Sequence, residues 1–316
     1  MDDPMDEVYR RHNAGDQVGA FVAALAVIRD DPGLVLAQIA ALKLISRAVG
    51  DTQAGMFEQW LQSTGFGNLD NAAVILPALF ECPAELYAIG SILAVITASQ
   101  GRHREALAVF GSFLTADLPA PLAKTDVAKE YGNTAEVYDQ NILHTASVDF
   151  FTAFLDRSLP GQPVAVAVDV PCGSGMAGPW LRQRSGRLIG SDLSAHMSAM
   201  AEASGHYDQV ICGDMVEVLP NLTVDLVVSH GSLYYFRDLV PVAAEVAKAL
   251  RPGGWFAFTD YPAPCGTMAT ISGNLRYCRA PDLVRAVMTE QGLEESACEW
   301  GLTFGLPCVY WLFRKA

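Results

Sequence analysis

Positive charge is scarce in this 316-residue chain: 21 Lys and Arg stand against 35 Asp and Glu, for a formal net charge of −14. Binding to a nucleic-acid backbone depends on Lys and Arg clusters that release counterions, so no nucleic-acid partner is expected, and an anionic membrane surface fits no better. Arg182, Arg184 and Arg187 read as a solvated helix end. Long apolar runs are missing too. The longest uncharged stretch, 86–101, is too short and too mixed to span a bilayer. The opening MDDPMDEVYRRHNAGD is acidic and polar, unlike a secretion signal. The seven cysteines (82, 172, 212, 265, 278, 298, 308) include no C-x-x-C pair. That argues against a disulfide framework or a zinc site, and for reduced thiols in a cytoplasmic protein. His103, His144 and His206 lack partners at ligand spacing, so no metal is expected.

Apolar side chains, by contrast, make up 51% of the residues, and the length suggests two domains. Residues 1–120 read as helix after helix, because the apolar spacing over 18–28, 34–45 and 86–96 is nearer 3.6 than 2. Gly15-Asp16, Gly50-Asp51 and Gly101-Arg102 punctuate this region at uneven intervals. The pattern resembles tetratricopeptide repeats, helix pairs of about 34 residues. Such a domain implies a groove for a protein partner, a cap over its neighbour, or a surface for self-association. Pro119 and Pro121 mark 118–124 as a linker, so the second domain is read as 121–316.

Residues 127–159 read as helical. Strands are then expected at 164–170, 187–191, 209–212, 225–229, 254–260, 295–303 and 307–314, with helices at 176–184, 194–204, 239–250 and 280–291 between most of them. The fold class is α/β: a doubly wound, mostly parallel, seven-stranded sheet behind an all-α domain. The last two strands are separated only by a turn, so the final one must run antiparallel to its neighbour.

The most informative segment is AVAVDVPCGSGMAGPWLRQRSGRLIGSD, ending at Asp192. An apolar strand runs into Gly173, Ser174, Gly175 and Gly178, which permit a tight turn and a helix opening beside a ligand. Exposed amides there suit an anionic or strongly polar group. Asp192 lies 17 residues past Gly175, where a carboxylate accepts hydrogen bonds from ribose hydroxyls. The unit predicts an adenosine-containing ligand.

In nicotinamide dehydrogenases the glycines follow the first strand directly, with no acid inside it. Here Asp169 ends the strand and D-V-P-C-G-S-G follows, which resembles the first motif of class I S-adenosylmethionine-dependent methyltransferases. The resemblance continues through ICGDM (211–215), VDLVVSHGSLYYF and ALRPGGWFAFTD (249–260). Upstream, YGNTAEVYD (131–139) resembles that family's lead-in helix, and 272–287 resembles a stretch of predicted methyltransferases carrying tetratricopeptide-like repeats. The resemblance implies S-adenosyl-L-methionine as cofactor. It implicates Asp169, Pro171, Cys172, Gly173, Ser174 and Gly175 at the first corner, and Asp192 with Leu193 at the ribose. Gly213, Asp214 and Met215 would meet the adenine, with Asp214 at its amino group and Met215 against the ring. Ser229 and His230 would lie beside the methionine part, with Tyr131 closing over its carboxylate.

Methyl transfer from a sulfonium needs alignment of donor and nucleophile, exclusion of water, and for some acceptors a base. His230 is the first choice for that base, since an ordinary imidazole titrates near ~6.5. Tyr138, Tyr234, Tyr235, Asp260, Tyr261 and Tyr277 are candidates to touch the acceptor. SHGS replaces the N-P-P-Y or D-P-P-Y of enzymes that methylate nucleic-acid bases, which leaves an O or N of a small molecule, or of a group presented by a protein. A second class remains open: a cofactor-binding scaffold that works through its helical domain with little catalysis. A nicotinamide dehydrogenase is the third.

Overall fold

The computed structural model describes residues 3–31, 114–139, 142–271, 276–303 and 306–316, with 34, 36, 37, 40, 41, 44 and 111 between them. Contacts divide the chain into two compact units, Met1–Phe113 with Phe304–Pro307, and Leu114–Thr303 with Cys308–Ala316.

In the first unit, α1 (Asp6–Asn13) and α2 (Gln17–Asp30) pack on each other. Asp16 caps α2 by accepting from the Gly19 amide at 2.8 Å, which satisfies a donor that a helix start leaves without an intrahelical partner. Ala20, Phe21, Ala24 and Leu25 form its buried stripe, spaced as one helix face. The helices expected over 34–45 and 86–96, and the punctuation at Gly50 and Gly101, lie outside the described residues apart from the isolated positions above.

The second unit begins with β1 (Leu114–Thr115), α3 (Lys124–Tyr138) and α4 (Ile142–Ser158). It continues through β2 (Val164–Asp169), α5 (Gly178–Gln183), β3 (Ser185–Asp192), α6 (Ala195–Ala203), β4 (Gln209–Cys212), α7 (Met215–Val218) and β5 (Val224–Ser229). Then come α8 (Val240–Ala249), β6 (Leu250–Pro262), β7 (Met268–Ile271), β8 (Tyr277–Arg279), α9 (Pro281–Glu290), β9 (Leu293–Thr303) and β10 (Leu306–Lys315). Strands β4, β3, β2, β5 and β6 lie side by side in that order, all parallel. β10 runs antiparallel to β6, from Val309 opposite Asp260 to Arg314 opposite Trp255, and β9 lies on its far side. Strand order reverses between β2 and β5. That is where open sheets of this kind form a ligand crevice beyond the strand carboxyl ends.

The second half of β2, Ala167–Asp169, is buried, as the interior of a parallel sheet requires, while Ala165 near its start is exposed. Helix α8 presents Val242, Ala243, Val246 and Ala249 at helical spacing to Leu219, Phe256 and Phe258. Full burial of each valine stabilises by roughly 1.5–3 kcal/mol.

The sheet has ten strands rather than the seven expected. β1, β7 and β8 are the additions, each too short for alternation to show in sequence. The last two residues of β6 pair with β8, β8 with β7, and β7 with β1. The proline-rich stretch expected as a linker is tied to this extension. Thr270 Oγ1 donates to the Asp117 carbonyl at 2.7 Å, and Tyr277 Oη to the Pro119 carbonyl at 2.5 Å. The single helical span expected over 127–159 is two helices, α3 and α4.

Candidate functional site

At the end of β2 the chain turns at Gly173 and Gly175, with φ of +54° and +95°, a left-handed region that disfavours residues with a Cβ. These glycines have different reasons to be glycine. A Cβ on Gly173 would meet nothing within 4 Å, whereas Cβ atoms on Gly175, Gly178 and Gly190 would lie 3.1, 3.0 and 2.9 Å from the Tyr207 ring. Tyr207 therefore fills the volume those three residues leave, and Gly173 alone of the four borders open space. Tyr207 Oη also donates to Asp169 Oδ2 at 2.7 Å. Burial raises the Asp169 carboxyl to about 7, against the pull of the Tyr207 hydrogen bond.

Asp192, at the end of β3, grips the corner from the other side. Its Oδ2 accepts from the Gly173 amide at 3.0 Å and its Oδ1 from the Ser194 amide at 2.8 Å. A carboxylate accepts about four hydrogen bonds, so two acceptor positions remain for a diol. Burial raises this carboxyl, and the two amides oppose the shift. The Gly175 and Gly178 amides donate to the carbonyls of Cys172 and Gly175. The amides of Gly173, Gly175 and Gly178 are thus engaged within the chain, and the Asp169 and Asp192 carboxylates stand at the same corner.

Asp214 caps α7 through the Val216 amide at 2.8 Å and meets Lys124 Nζ at 3.1 Å. Gly213, just before it, donates its amide to the Asp192 carbonyl at 2.9 Å, and Leu193 is half-buried beside Asp192. Met215 belongs to the buried core cluster, and Cys172 is buried, with its thiol pushed up by the loss of solvent. The Val170–Pro171 peptide is cis.

Helix α3 carries the other wall. Ser174 Oγ donates to Asp139 just past its end. Tyr131 and Tyr138, seven residues apart on one helix face, pack edge-on at 5.9 Å between ring centres. Tyr131 and Tyr235 share a hydroxyl hydrogen bond of 2.9 Å. Burial raises the Tyr138 phenol, and the fields of Tyr131, Asp192 and Asp139 raise it further while Arg276 opposes them. The guanidinium of Arg276 sits 4.0 Å from the Tyr235 ring centre and 5.2 Å from that of Tyr234. Tyr234 in turn stacks on Tyr261 at 4.8 Å.

Past β5, the buried hydroxyls of Ser229 and Ser232 bond each other at 2.8 Å. His230 Nε2 is 3.1 Å from Ser147 Oγ on α4, and its ring stacks on Phe151 at 5.1 Å. Burial, with the field of His144, lowers the imidazole to about 4. It is therefore neutral near pH 7 and a weaker base than its residue type suggests.

Two expected acceptor contacts are engaged by the fold instead. Both oxygens of Asp260 are held by Arg279 Nη1, at 3.0 and 2.8 Å, with the side chains only 2% and 4% exposed. Tyr277 is committed to Pro119 as described above. Tyr207, Asp139, Ser147, Lys124 and Arg276 were not singled out as site residues from sequence. Only Asp139, within the lead-in motif, and Arg276, within the stretch before α9, lay in segments that carried a signal. Among the described residues no cluster could hold a metal ion, and no helix is long and apolar enough to cross a membrane.

Residues 168–258 match the model of a methyltransferase domain family. The matched stretch runs from inside β2 to inside β6, so it contains Asp169, the glycine corner, Asp192 and Asp214. A malonyl-[acyl-carrier protein] O-methyltransferase of Enterobacter lignolyticus is 32% identical over 146 residues, 45% of this chain and 56% of that protein. The counterpart from Pseudescherichia vulneris is 25% identical over 61% of this chain and 75% of that protein. The chain thus spans little more than half the length of the Enterobacter relative. Among solved structures, magnesium protoporphyrin IX methyltransferase of Synechocystis PCC 6803 with bound S-adenosylhomocysteine superposes with a TM-score of 0.51 at 15% identity. It covers 61% of this chain and all of that one. The second unit has the Rossmann-like methyltransferase fold with a mixed sheet.

Proposed function

We propose that this chain is an S-adenosyl-L-methionine-dependent methyltransferase acting on an O or N of a small molecule, or of a group carried by a protein. The observation that carries the reading is the corner itself. Its three glycine amides are engaged internally and Asp192 keeps acceptor positions for a ribose diol, while the carboxylate lining suits a cationic sulfonium. The family match over 168–258 supports it. The names of the curated relatives favour a carboxylate oxygen on a carrier-bound acyl group as one form of acceptor.

Asp192 would hold the ribose with its two remaining acceptor positions, and the open space at Gly173 would admit the ligand against bare backbone. Leu193, Gly213, Asp214 and Met215 would flank the adenine, with Asp214 available there if Lys124, its exposed partner, gives way. When bound, S-adenosylmethionine supplies a methyl group activated by the adjacent sulfonium. The chain's own task is to align the acceptor and exclude water, and near-attack placement of this kind lowers a barrier by about 7–11 kcal/mol. Tyr131, Tyr138, Tyr234 and Tyr235 supply apolar walls for that purpose. His230, neutral and bonded to Ser147, would orient the acceptor or take its proton. The reading includes residues 1–120 as a helical, tetratricopeptide-like domain that receives a partner, caps the site or self-associates, beside a catalytic domain over 121–316 in the cytoplasm.

Titration calorimetry on the intact chain tests the reading. Saturable binding of S-adenosylhomocysteine with none of NAD is expected. Preference for NAD, or no nucleoside binding, would remove it.

A further inference from the structure

We propose that Arg276 is a carboxylate anchor in this crevice. The inference rests on the methyltransferase reading and adds to it the chemistry of a group that the corner does not explain. Four carboxylates, of Asp139, Asp169, Asp192 and Asp214, lie along the nucleoside side. Lys124 answers one of them, and Arg279 is locked on Asp260. Arg276 is the cation that faces the tyrosine wall. Its guanidinium carbon lies over the Tyr235 ring at 4.0 Å and the Tyr234 ring at 5.2 Å, with a side chain 14% exposed. A guanidinium carries five N–H donors in a planar fork that matches a carboxylate. Among the described residues, its hydrogen bonding is a single long contact, 3.3 Å, to Glu130, whose side chain is 48% exposed. The aromatic faces orient the fork without using its donors.

Position follows from the same contacts. Arg276 packs on Tyr235, Tyr235 bonds Tyr131, Tyr131 packs on Tyr138, and Tyr138 feels both Arg276 and Asp192. A layer of tyrosine separates the guanidinium from the ribose acid. A carboxylate there has two sources: the amino-acid end of the cofactor, or the acceptor.

The experiment compares the wild type, Arg276→Met and Arg276→Lys by calorimetry with three probes. These are S-adenosylhomocysteine, 5′-methylthioadenosine (the same nucleoside thioether without an amino-acid carboxylate), and malonate. Malonate is titrated into both free and S-adenosylhomocysteine-saturated protein. A cofactor anchor predicts that Arg276→Met weakens S-adenosylhomocysteine roughly ten- to a hundredfold and leaves 5′-methylthioadenosine unchanged. An acceptor anchor predicts that both nucleosides bind as in the wild type while malonate binding is lost. Arg276→Lys should fall between, since it keeps charge without the fork, and it decides the same comparison if the methionine variant does not fold. Equal loss of both nucleosides would mean a purely structural role and overturns the proposal. So does no change with any probe, or a wild type that binds the two nucleosides equally and ignores malonate. A wild type that binds neither nucleoside removes the methyltransferase reading instead, and malonate binding to the free protein then decides the anchor.

Discussion

At the glycine-corner side of the crevice, where the nucleoside is proposed, the backbone sets the geometry: two left-handed glycines, an acid at the end of β3, and glycine amides that pair within the chain. At the tyrosine side the backbone does little, and side chains from α3, the segment after β5, β6 and the residue before β8 meet through ring contacts and one guanidinium. The first arrangement suits a ligand shared by many enzymes. The second can change by substitution without disturbing the sheet, which is how one fold serves many acceptors.

Substitutions should separate the two sides from the fold that carries them. The largest effect belongs to neither side. Asp260→Ala leaves Arg279 buried without its partner and should lower stability by about 3–5 kcal/mol in denaturant unfolding. The folded fraction should still bind S-adenosylhomocysteine normally. If nucleoside affinity falls instead while stability holds, Asp260 belongs to the tyrosine side after all.

The next effect depends on pH. The Asp169 carboxyl sits at about 7 in the folded chain and near ~3.9 when unfolded. Folding therefore favours its protonated form, and the stability this contributes at low pH is lost as pH rises through 7. Asp169→Asn keeps an acceptor for Tyr207 and escapes that loss. Its stability relative to wild type should grow between pH 5 and pH 8, by roughly 2–3 kcal/mol, as read by melting in both buffers. A gap that shrinks with rising pH would contradict the burial of this carboxyl.

Asp192→Ala should weaken S-adenosylhomocysteine roughly ten- to a hundredfold, because charge-assisted hydrogen bonds are lost. An unchanged dissociation constant would move the ribose elsewhere. The smallest and most selective contrast lies between neighbouring glycines. Both Gly173→Ala and Gly175→Ala incur about 1–2 kcal/mol of left-handed strain. Only at Gly175 does the new methyl also press on Tyr207 and the Ala201 backbone, at 3.1 and 3.3 Å. Gly175→Ala should therefore melt lower, and Gly173→Ala should lose more nucleoside affinity for its loss of stability. The reverse ranking would show that Gly173 does not face the ligand.

Much of the nucleoside side was legible in sequence because its requirements are local. Left-handed turns select glycine, and an acid at a strand end before a helix start has a short list of uses, so Asp169, Gly173, Gly175 and Asp192 stand out at fixed spacing. The same locality misled in one respect. Gly175 and Gly178 read as turn and helix-opening positions beside a ligand, whereas it is Tyr207, 38 residues past the end of β2, that packs against them. Side-chain partners from distant elements leave no such trace. Nothing near Asp260 in sequence announces Arg279. The two meet because Pro262 of β6 lies opposite Arg279 of β8, and β8 is too short to be read as a strand. Tyr277, a sequence candidate to touch the acceptor, is drawn to Pro119 by that same strand. Arg276 stood in a recognised stretch, yet its role depends on Tyr234 and Tyr235, brought to it by the fold.

A crystal structure of the intact chain grown with S-adenosylhomocysteine bears most directly on the claim that a nucleoside lies on this corner. The account predicts ribose hydroxyls within hydrogen-bond distance of Asp192, with the Gly173 backbone against the ligand and Tyr207 unmoved beneath it. A nucleoside bound elsewhere, with Asp192 still held only by Gly173 and Ser194, would contradict it.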